Sequence, residues 1–235
     1  CPMTQLTVAD IIHAWRGLDD DPADEMEVML SREFKLITSL LQLLAQGQPV
    51  SAAQLAERVE MPVAQIQAIF DRFAARGGEF DQGGNLVGAA LTLNPTPHHI
   101  RVNGRELYAW CALDTIFLPG LLGEMAEVES TDPITGETIR LTIAPDGVRD
   151  YSPIGAVLSI AVPGVSCSRE QTGPQSDACS QMHFFRARET ADTWLKDHPG
   201  LAIFTVEEAW QLAHEGWLAR KGRFDAGEAV RCCAC

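Results

Sequence analysis

The sequence is poor in positive charge. It contains 18 lysine and arginine residues against 32 aspartate and glutamate residues, and its formal net charge is −14. A surface of this sign repels phosphate groups, so neither a nucleic acid nor an anionic membrane is expected as the main partner. Hydrophobic residues make up 46% of the 235 residues. That is enough for one large domain, or two small ones, with a proper core.

Long apolar runs and the features of a secretory leader are also missing. No stretch approaches the roughly 20 apolar residues that a membrane-spanning helix needs. The first residues, CPMTQL, have neither a basic region nor an apolar region like those of a signal peptide. We therefore expect a cytoplasmic protein that has no membrane partner.

Cysteines are too scattered for the disulfide framework of a small secreted domain. Their number is odd, and they are Cys1, Cys111, Cys167, Cys179, Cys232, Cys233 and Cys235. In a reducing compartment they would be thiols, available for a metal or for chemistry.

The central stretch 105–119 is apolar and aromatic, and it holds one thiol, Cys111, and one carboxyl, Asp114. A helix starting at Ala109 or Trp110 would place both side chains on one face. That face would be screened from water by Trp110, Leu113, Ile116 and Phe117. The spacing alone leaves two interpretations open: a reactive pair in a dry pocket, or a buried core cysteine beside an aspartate that caps a turn.

Pro119 and Gly120 are expected to close this segment, because the residue before a proline disfavours the helical conformation. A hairpin should deliver the chain into Cys111, since the dipeptide Asn103-Gly104 is a strong signal for a two-residue turn between strands.

Pattern and composition divide the chain into four parts. Residues 1–30 form an acidic N-terminal extension, and residues 31–95 predict three helices and a hairpin. Residues 96–217 predict strands with flanking helices, and residues 218–235 a flexible, cysteine-rich C-terminal tail. The expected class is α+β, with a winged-helix-like helical part packed on a mixed or antiparallel sheet.

Helix starts are marked by local signals. Ser51 and Gln54 form a predicted capping box, Pro62 suits the first turn of the third helix, and Thr205 with Glu208 should open a final helix that runs through Trp217. The stretch 163–178 is rich in Gly, Pro, Ser and Gln, and predicts an exposed or mobile loop.

The winged-helix-like part does not have the charge of a DNA reader. Residues 31–90 contain five basic and six acidic residues. Phosphate contacts need clustered lysine and arginine, so we expect a structural role for this part.

Two segments carry a resemblance to a known family. The segment Leu107-Tyr-Ala-Trp-Cys-Ala-Leu-Asp-Thr-Ile-Phe-Leu-Pro119 resembles the signature of the organomercurial (alkylmercury) lyases. Cys179-Ser-Gln-Met-His-Phe-Phe185 resembles that family's second cysteine and the His-Phe-Phe that follows it. The similarity covers about residues 33 to 217, and the first motif is long and specific.

The resemblance implies a function and roles. The catalytic cysteines would be Cys111 and Cys179, and the catalytic aspartate would be Asp114. The reaction would cleave a carbon–mercury bond and give a hydrocarbon and mercury(II), which the two cysteines would bind. The resemblance implies no organic cofactor. Free thiols would be needed for product release, and mercuric reductase or low-molecular-weight thiols would accept the ion.

The chemistry of these groups suits that reaction. Mercury(II) is a soft ion that favours thiolates, and a second thiolate would weaken the carbon–mercury bond by adding electron density to the metal. The departing carbon needs a proton, which Asp114 could carry from a thiol. A free aspartate has a pKa of about 3.9, and the apolar side chains of Trp110 and Phe117 would raise it.

The sequence departs from the family pattern at two places. Many members carry a further cysteine where this chain has Asp132, and an aromatic residue where this chain has Ala178. The loop before Cys179 is also longer here. The first change would affect local stability if that cysteine is structural, and the second would affect pocket shape and substrate range.

Two other classes of function stay open at this point. One is a cysteine hydrolase with Cys111 as nucleophile and His183 as base. The other is a mercury-responsive or metal-responsive winged-helix regulator, or a mercury-binding protein.

The C-terminal tail lies beyond the family resemblance. Three of its last four residues are cysteines, namely Cys232, Cys233 and Cys235. Nearby basic residues would favour the thiolate form. They are Arg220, Lys221, Arg223 and Arg231. The cluster resembles the cysteine pair with which mercuric reductases collect mercury(II), which suggests product transfer. The alternative is a frayed terminus with incidental thiols.

Overall fold

The computed structural model describes residues 34–75, 77–162, 179–198 and 200–225. The acidic extension, the predicted loop 163–178 and the last residues of the tail lie outside the described residues. So do Cys1, Cys167 and the three C-terminal cysteines.

The N-terminal described part consists of three helices, as the sequence predicts. They are α1 (Phe34–Leu44), α2 (Ala52–Val59) and α3 (Val63–Ala75). The capping box of α2 is confirmed, because the Ser51 side chain accepts from Gln54 N while Gln54 Oε1 accepts from Ser51 N. A hairpin of β1 (Glu79–Phe80) and β2 (Leu86–Ala89) follows, again as predicted.

Eight strands form the larger sheet, in the order β1-β2-β3-β5-β4-β6-β7-β8. Its remaining strands are β3 (Leu91–Thr92), β4 (His98–Val102), β5 (Arg105–Ala109), β6 (Ala126–Thr131), β7 (Thr138–Ala144) and β8 (Gly147–Ser152). The turn between β4 and β5 is the predicted one, with positive φ at Asn103 and Gly104.

The smaller sheet has the order β10-β9-β11. Its strands are β9 (Val157–Ala161), β10 (Phe184–Phe185) and β11 (Leu201–Thr205). Two further helices precede and follow β11, namely α5 (Arg188–Leu195) and α6 (Val206–Asp225). Every strand pair in the described part of the chain is antiparallel. The α+β class is therefore confirmed, with an antiparallel rather than a mixed arrangement.

Helix α4 (Ala112–Leu122) contacts strands of both sheets as well as helices α1 and α6, and it is almost entirely buried. The core that surrounds it is continuous. One hydrophobic cluster includes Leu44 and Ile66 of the helical part together with Ile100 and Leu141 of the larger sheet. The division of the chain at residues 95 and 96 stays a prediction.

The predicted end of this segment at Pro119 is wrong. Pro119 lies inside α4, which continues to Leu122 and ends at Gly123, where φ is +72°. A proline in a helix forfeits one backbone hydrogen bond. Here the burial of Leu118, Leu121 and Leu122 outweighs that loss.

The final helix begins at the predicted capping box. Thr205 N donates to Glu208 Oε2 at 2.9 Å, and Glu208 N donates to Thr205 Oγ1 at 3.1 Å. The helix runs on to Asp225, past the predicted end at Trp217. Among the described residues, no helix is long and apolar enough to cross a membrane.

Candidate active site

Cys111 occupies the N-cap position of the buried helix α4. The helix does not start at Ala109 or Trp110 because both belong to the preceding strand region: Ala109 pairs with Leu91 and His98, and Trp110 N donates to Ala90 O at 2.8 Å. The hairpin β4–β5 therefore delivers the chain straight into the cysteine, as predicted.

Asp114 lies in the first turn of α4, and its carboxylate caps the helix. Oδ2 accepts a hydrogen bond of 3.0 Å from Cys111 N. The two interpretations of this pair are thus not exclusive, since an aspartate that caps the helix start lies beside the thiol of the residue it caps.

Cys179 is brought to the same place by a short 3₁₀ turn, Cys179–Gln181, that precedes β10. The following segment is bonded directly to the start of α4, because Ala112 N donates to Met182 O at 3.0 Å. The side chain of Ser159 on β9 holds it from the other side. Ser159 Oγ donates to Gln181 O at 2.8 Å and accepts from His183 N at 3.0 Å.

The result is a compact cluster of two thiols and one carboxyl. One ligand atom from each of Cys111, Asp114 and Cys179 lies within 4.8 Å of the other two. Neither cysteine is in a disulfide. Cys111 is 1% exposed and Asp114 7% exposed, while Cys179 is only partly buried. Access from solvent therefore differs between the two thiols.

Burial controls the ionisation of the inner pair. Loss of hydration raises the pKa of the Asp114 carboxyl to about 7, against the smaller opposite effect of the hydrogen bonds from the Cys111 thiol and backbone. Burial also raises the pKa of the Cys111 thiol well above its usual range, with further contributions from the hydrogen bond to Cys179 and from the charge of Asp114. At neutral pH the Cys111 thiol is protonated, and the Asp114 carboxyl holds its proton to a much higher pH than an exposed aspartate does.

Comparison with known proteins decides the family. A family model described as alkylmercury lyase matches residues 91–217. An alkylmercury lyase of Streptomyces lividans is 41% identical over 174 residues, which are 74% of this chain and 77% of that protein. The chain belongs to the alkylmercury lyase family. An alkylmercury lyase of Bacillus cereus is 38% identical over 177 residues, covering 75% of this chain and 78% of that protein.

A further relative and a solved structure are also similar to this chain. An alkylmercury lyase of Pseudomonas putida is 37% identical over 183 residues, 76% of this chain and 81% of that protein. The crystal structure of the mercury-bound form of MerB2 matches with a TM-score of 0.66 at 22% identity, and covers 92% of this chain and 98% of that one. This match shows that the two chains share a fold.

In this alkylmercury lyase family member, His183 lies in the segment that carries Cys179, and its side chain makes a hydrogen bond and two ring contacts. Its Nε2 lies 3.0 Å from Ser180 O, and its ring packs against His98 and Trp194, with centroids 5.5 and 5.1 Å away. Burial lowers its pKa. Its other ring nitrogen, Nδ1, is buried without a hydrogen-bond partner among the described residues. The family match, rather than these contacts, disfavours the hydrolase interpretation.

Sequence reasoning missed two residues that support the site. Ser159 is a fully buried serine in the apolar run 156–162, where a lone polar residue is the signal that could have revealed it. His98 is also buried, with Nδ1 2.8 Å from Ser130 Oγ. Burial and the neighbouring His183 lower the pKa of His98 to about 3, so it is neutral.

Proposed function

We propose that this chain cleaves the carbon–mercury bond of organomercurials by protonolysis, with Cys111, Cys179 and Asp114 as the reacting groups. The observation that carries the proposal is the cluster itself, in which two thiols and one buried carboxyl lie within 4.8 Å of one another. The family match supports the same reaction. The substrate would be an organomercurial small molecule.

Capture of the substrate is the first step, and it falls to Cys179. An organomercurial arrives bound to a small thiolate, and mercury exchanges readily between soft sulfur ligands. Cys179 is the more accessible of the two thiols, whereas Cys111 is 1% exposed and protonated. The Cys179 sulfur displaces the small thiolate, which leaves with the Cys179 proton, and it holds the organomercury group beside Cys111.

Proton transfer to Asp114 is the second step. A thiol that coordinates a metal loses its proton, and the Cys111 thiol is already hydrogen-bonded to the Asp114 carboxyl. As the Cys111 sulfur bonds to mercury, its proton moves to the ionised carboxylate. A pKa of about 7 suits this exchange, because a group near ambient pH both accepts and releases a proton readily.

Cleavage is the third step. The protonated Asp114 gives its proton to the carbon as the electron pair of the carbon–mercury bond moves to that carbon. A hydrocarbon leaves, and mercury(II) stays on the two sulfurs. Asp114 is ionised again, so proton and charge balance without any redox change. Two external thiols, or the thiols of a mercuric reductase, then take the ion and return one proton to each cysteine.

The test is to replace each cysteine with serine and to follow methylmercury by proton NMR with excess thiol. Wild type should release methane, and both Cys111→Ser and Cys179→Ser should lose nearly all turnover. Cys167→Ser is the matched control and should keep its turnover. Near-normal methane release by either site variant would refute the mechanism. Tight mercury binding without methane from wild type would favour the regulator or mercury-binding alternative.

The role of the helical part and the cellular location are also proposals. We propose that residues 31–95 are winged-helix-like and structural, because their helices share one core with the sheet and residues 31–90 lack an excess of basic side chains. We also place the protein in the cytoplasm, where abundant reduced thiols keep the cysteines reduced and remove the product.

The C-terminal cysteines extend the proposal to product transfer. Cys232, Cys233 and Cys235 lie outside the described residues, and their density in the sequence is the reason for assigning them a role. They would take mercury(II) from Cys111 and Cys179 by ligand exchange and pass it to an acceptor.

A further inference from the structure

Asp132 is a fully buried carboxylate held by backbone N–H groups from two separate parts of the chain. It follows strand β6 directly. Its Oδ1 accepts from Ile134 N at 2.8 Å and from Thr135 N at 3.1 Å, within the turn between β6 and β7. Its Oδ2 accepts from Arg186 N at 2.9 Å. One side chain thus joins a turn of the larger sheet to a residue far along the chain.

That distant residue belongs to the segment that carries Cys179. Arg186 follows β10, whose strand pairs with β9 of the smaller sheet. The segment is fixed near its start by Ser159 and by the Ala112–Met182 bond, and at its end by Asp132. The inner fixing point, Ala112, is the neighbour of Cys111. Asp132 therefore fixes the far end of the same segment that places the two thiols side by side.

The side chains of Ser130 and His98 also help to hold the segment that carries Cys179. Ser130 also points inward from β6, and its hydroxyl lies 2.8 Å from His98 Nδ1. The His98 ring stacks on that of His183, in the Cys179 segment. The end of β6 thus contacts this segment through Asp132 directly and through Ser130 by way of His98.

We propose that Asp132 is a positioning residue for the lyase reaction, which fixes Cys179 at the distance from Cys111 that lets one mercury ion bind both sulfurs. The inference rests on the proposed function. A carboxylate suits this task because its two oxygens accept from the turn and from Arg186 at the same time. A shift of about 1 Å in a reacting group can lower a rate about 100-fold, so the loss of one fixing bond should be visible in turnover.

The variant Asp132→Asn separates the contact with the turn from the contact with Arg186. The amide oxygen can still accept from Ile134 N and Thr135 N, while the amide NH₂ faces the Arg186 N–H and cannot accept from it. The matched control is Glu137→Gln, which removes the ion pair of 2.8 Å between Glu137 Oε1 and the Arg186 guanidinium but leaves the backbone bond intact. Asp132→Ser is a second variant, because a serine hydroxyl can cap the turn but is too short to reach Arg186.

Two measurements test the proposal. The first is methylmercury cleavage, for which we expect kcat of Asp132→Asn to fall at least tenfold with little change in KM, because capture needs Cys179 alone. The second is protection of Cys179 from iodoacetamide by one equivalent of mercury(II) against competing glutathione, mapped by mass spectrometry in a full-length background in which Cys232, Cys233 and Cys235 are serine. Cys111 is 1% exposed and cannot report by labelling, but an ion held by both sulfurs resists glutathione better than an ion held by Cys179 alone. Wild type should show this joint protection, and Asp132→Asn should lose it. Glu137→Gln should match wild type in both within about twofold.

The outcomes are distinguishable. Unchanged kcat and unchanged joint protection in a folded Asp132→Asn variant would overturn the inference. If Asp132→Asn does not fold, Asp132→Ser decides by the same criteria, and failure of both variants to fold would make Asp132 a stability residue instead. If wild type releases no methane, the proposed function fails, whereas the protection experiment still reports whether Asp132 positions the two thiols.

Discussion

Replacing Asp114 with asparagine should make the folded protein more stable at pH 8 while abolishing hydrocarbon release. The carboxyl is buried, and burial raises its pKa to about 7. The folded protein at pH 8 therefore holds an ionised group in a place that disfavours the charge. Asparagine has nearly the same shape, and its amide oxygen can still accept from Cys111 N, which bonds to Asp114 at 3.0 Å in wild type.

The size of the effect follows from the shift in pKa. An unperturbed aspartate has a pKa of about 3.9, and one unit corresponds to about 1.4 kcal/mol, so a pKa of about 7 corresponds to about 4 kcal/mol. The amide NH₂ needs a new acceptor, which costs about 1–3 kcal/mol if none is found. We therefore expect a net gain of about 1–3 kcal/mol at pH 8.

The sign of the pH dependence separates this explanation from others. Between pH 4 and 7 the folded carboxyl keeps its proton and the unfolded one has lost it. Because the folded state then binds more protons, the stability of wild type falls as pH rises through this range. The variant lacks this contribution. The stability difference between the two should therefore grow from pH 5 to pH 8 and level off above it.

Urea unfolding, followed by tryptophan fluorescence in the presence of a reductant, measures this difference. The matched control is Glu208→Gln, which changes an exposed carboxyl in the same capping position of α6. That control should lose about 0.3–1 kcal/mol through its weaker interaction with the helix dipole. An Asp114→Asn variant that is less stable than wild type by the same amount at every pH would refute the reasoning.

Two further predictions concern parts of the chain outside the reacting cluster. Ser51→Ala should cost about 1 kcal/mol by removing the N-cap of α2, with turnover per folded molecule unchanged, as measured by urea unfolding and methane release. Deletion of residues 231–235 should leave the single-turnover rate unchanged and lower the steady-state rate when external thiol is scarce. Equal steady-state rates at every thiol concentration would leave the tail without a role in product transfer.

The features that the sequence predicts well are those whose partners are close along the chain. The capping boxes Ser51–Gln54 and Thr205–Glu208 are both present, and the turn Asn103-Gly104 joins β4 to β5. Each is decided within four residues by hydrogen bonds or by backbone conformation. No tertiary contact is needed to form them, and so a short sequence window is sufficient.

Tertiary contacts decide the features that were predicted wrongly. Pro119 carries a local signal for a helix end, but α4 is surrounded by core side chains that favour its continuation to Leu122. Ala109 and Trp110 look helical within the apolar stretch, yet their backbone groups pair with Leu91, His98 and Ala90. In both places a partner distant in the sequence outweighs the local preference.

The pairing of Cys111 with Cys179 could not be derived from spacing. It was expected from the family resemblance, and the structure explains it through residues that the pattern did not single out. Ser159 and the Ala112–Met182 bond bring the 3₁₀ turn to the start of α4. The sequence marks Asp132 only as a departure from the family, and its three backbone partners are visible only when the turn and Arg186 are placed together.

The position of Asp114 explains how one carboxyl can serve both the fold and the chemistry. The start of a helix carries a partial positive charge that favours an ionised carboxylate, and the bond from Cys111 N acts in the same direction. Burial opposes both and is the larger effect, which leaves the pKa at about 7. Without burial the carboxylate would stay ionised and be a poor proton donor to carbon. Without the capping bond its pKa would be higher, and less of the ionised form that could accept the proton of Cys111 would be present. In the proposed role of a proton carrier, capping therefore favours the ionised form that accepts the proton, and burial favours the protonated form that gives it.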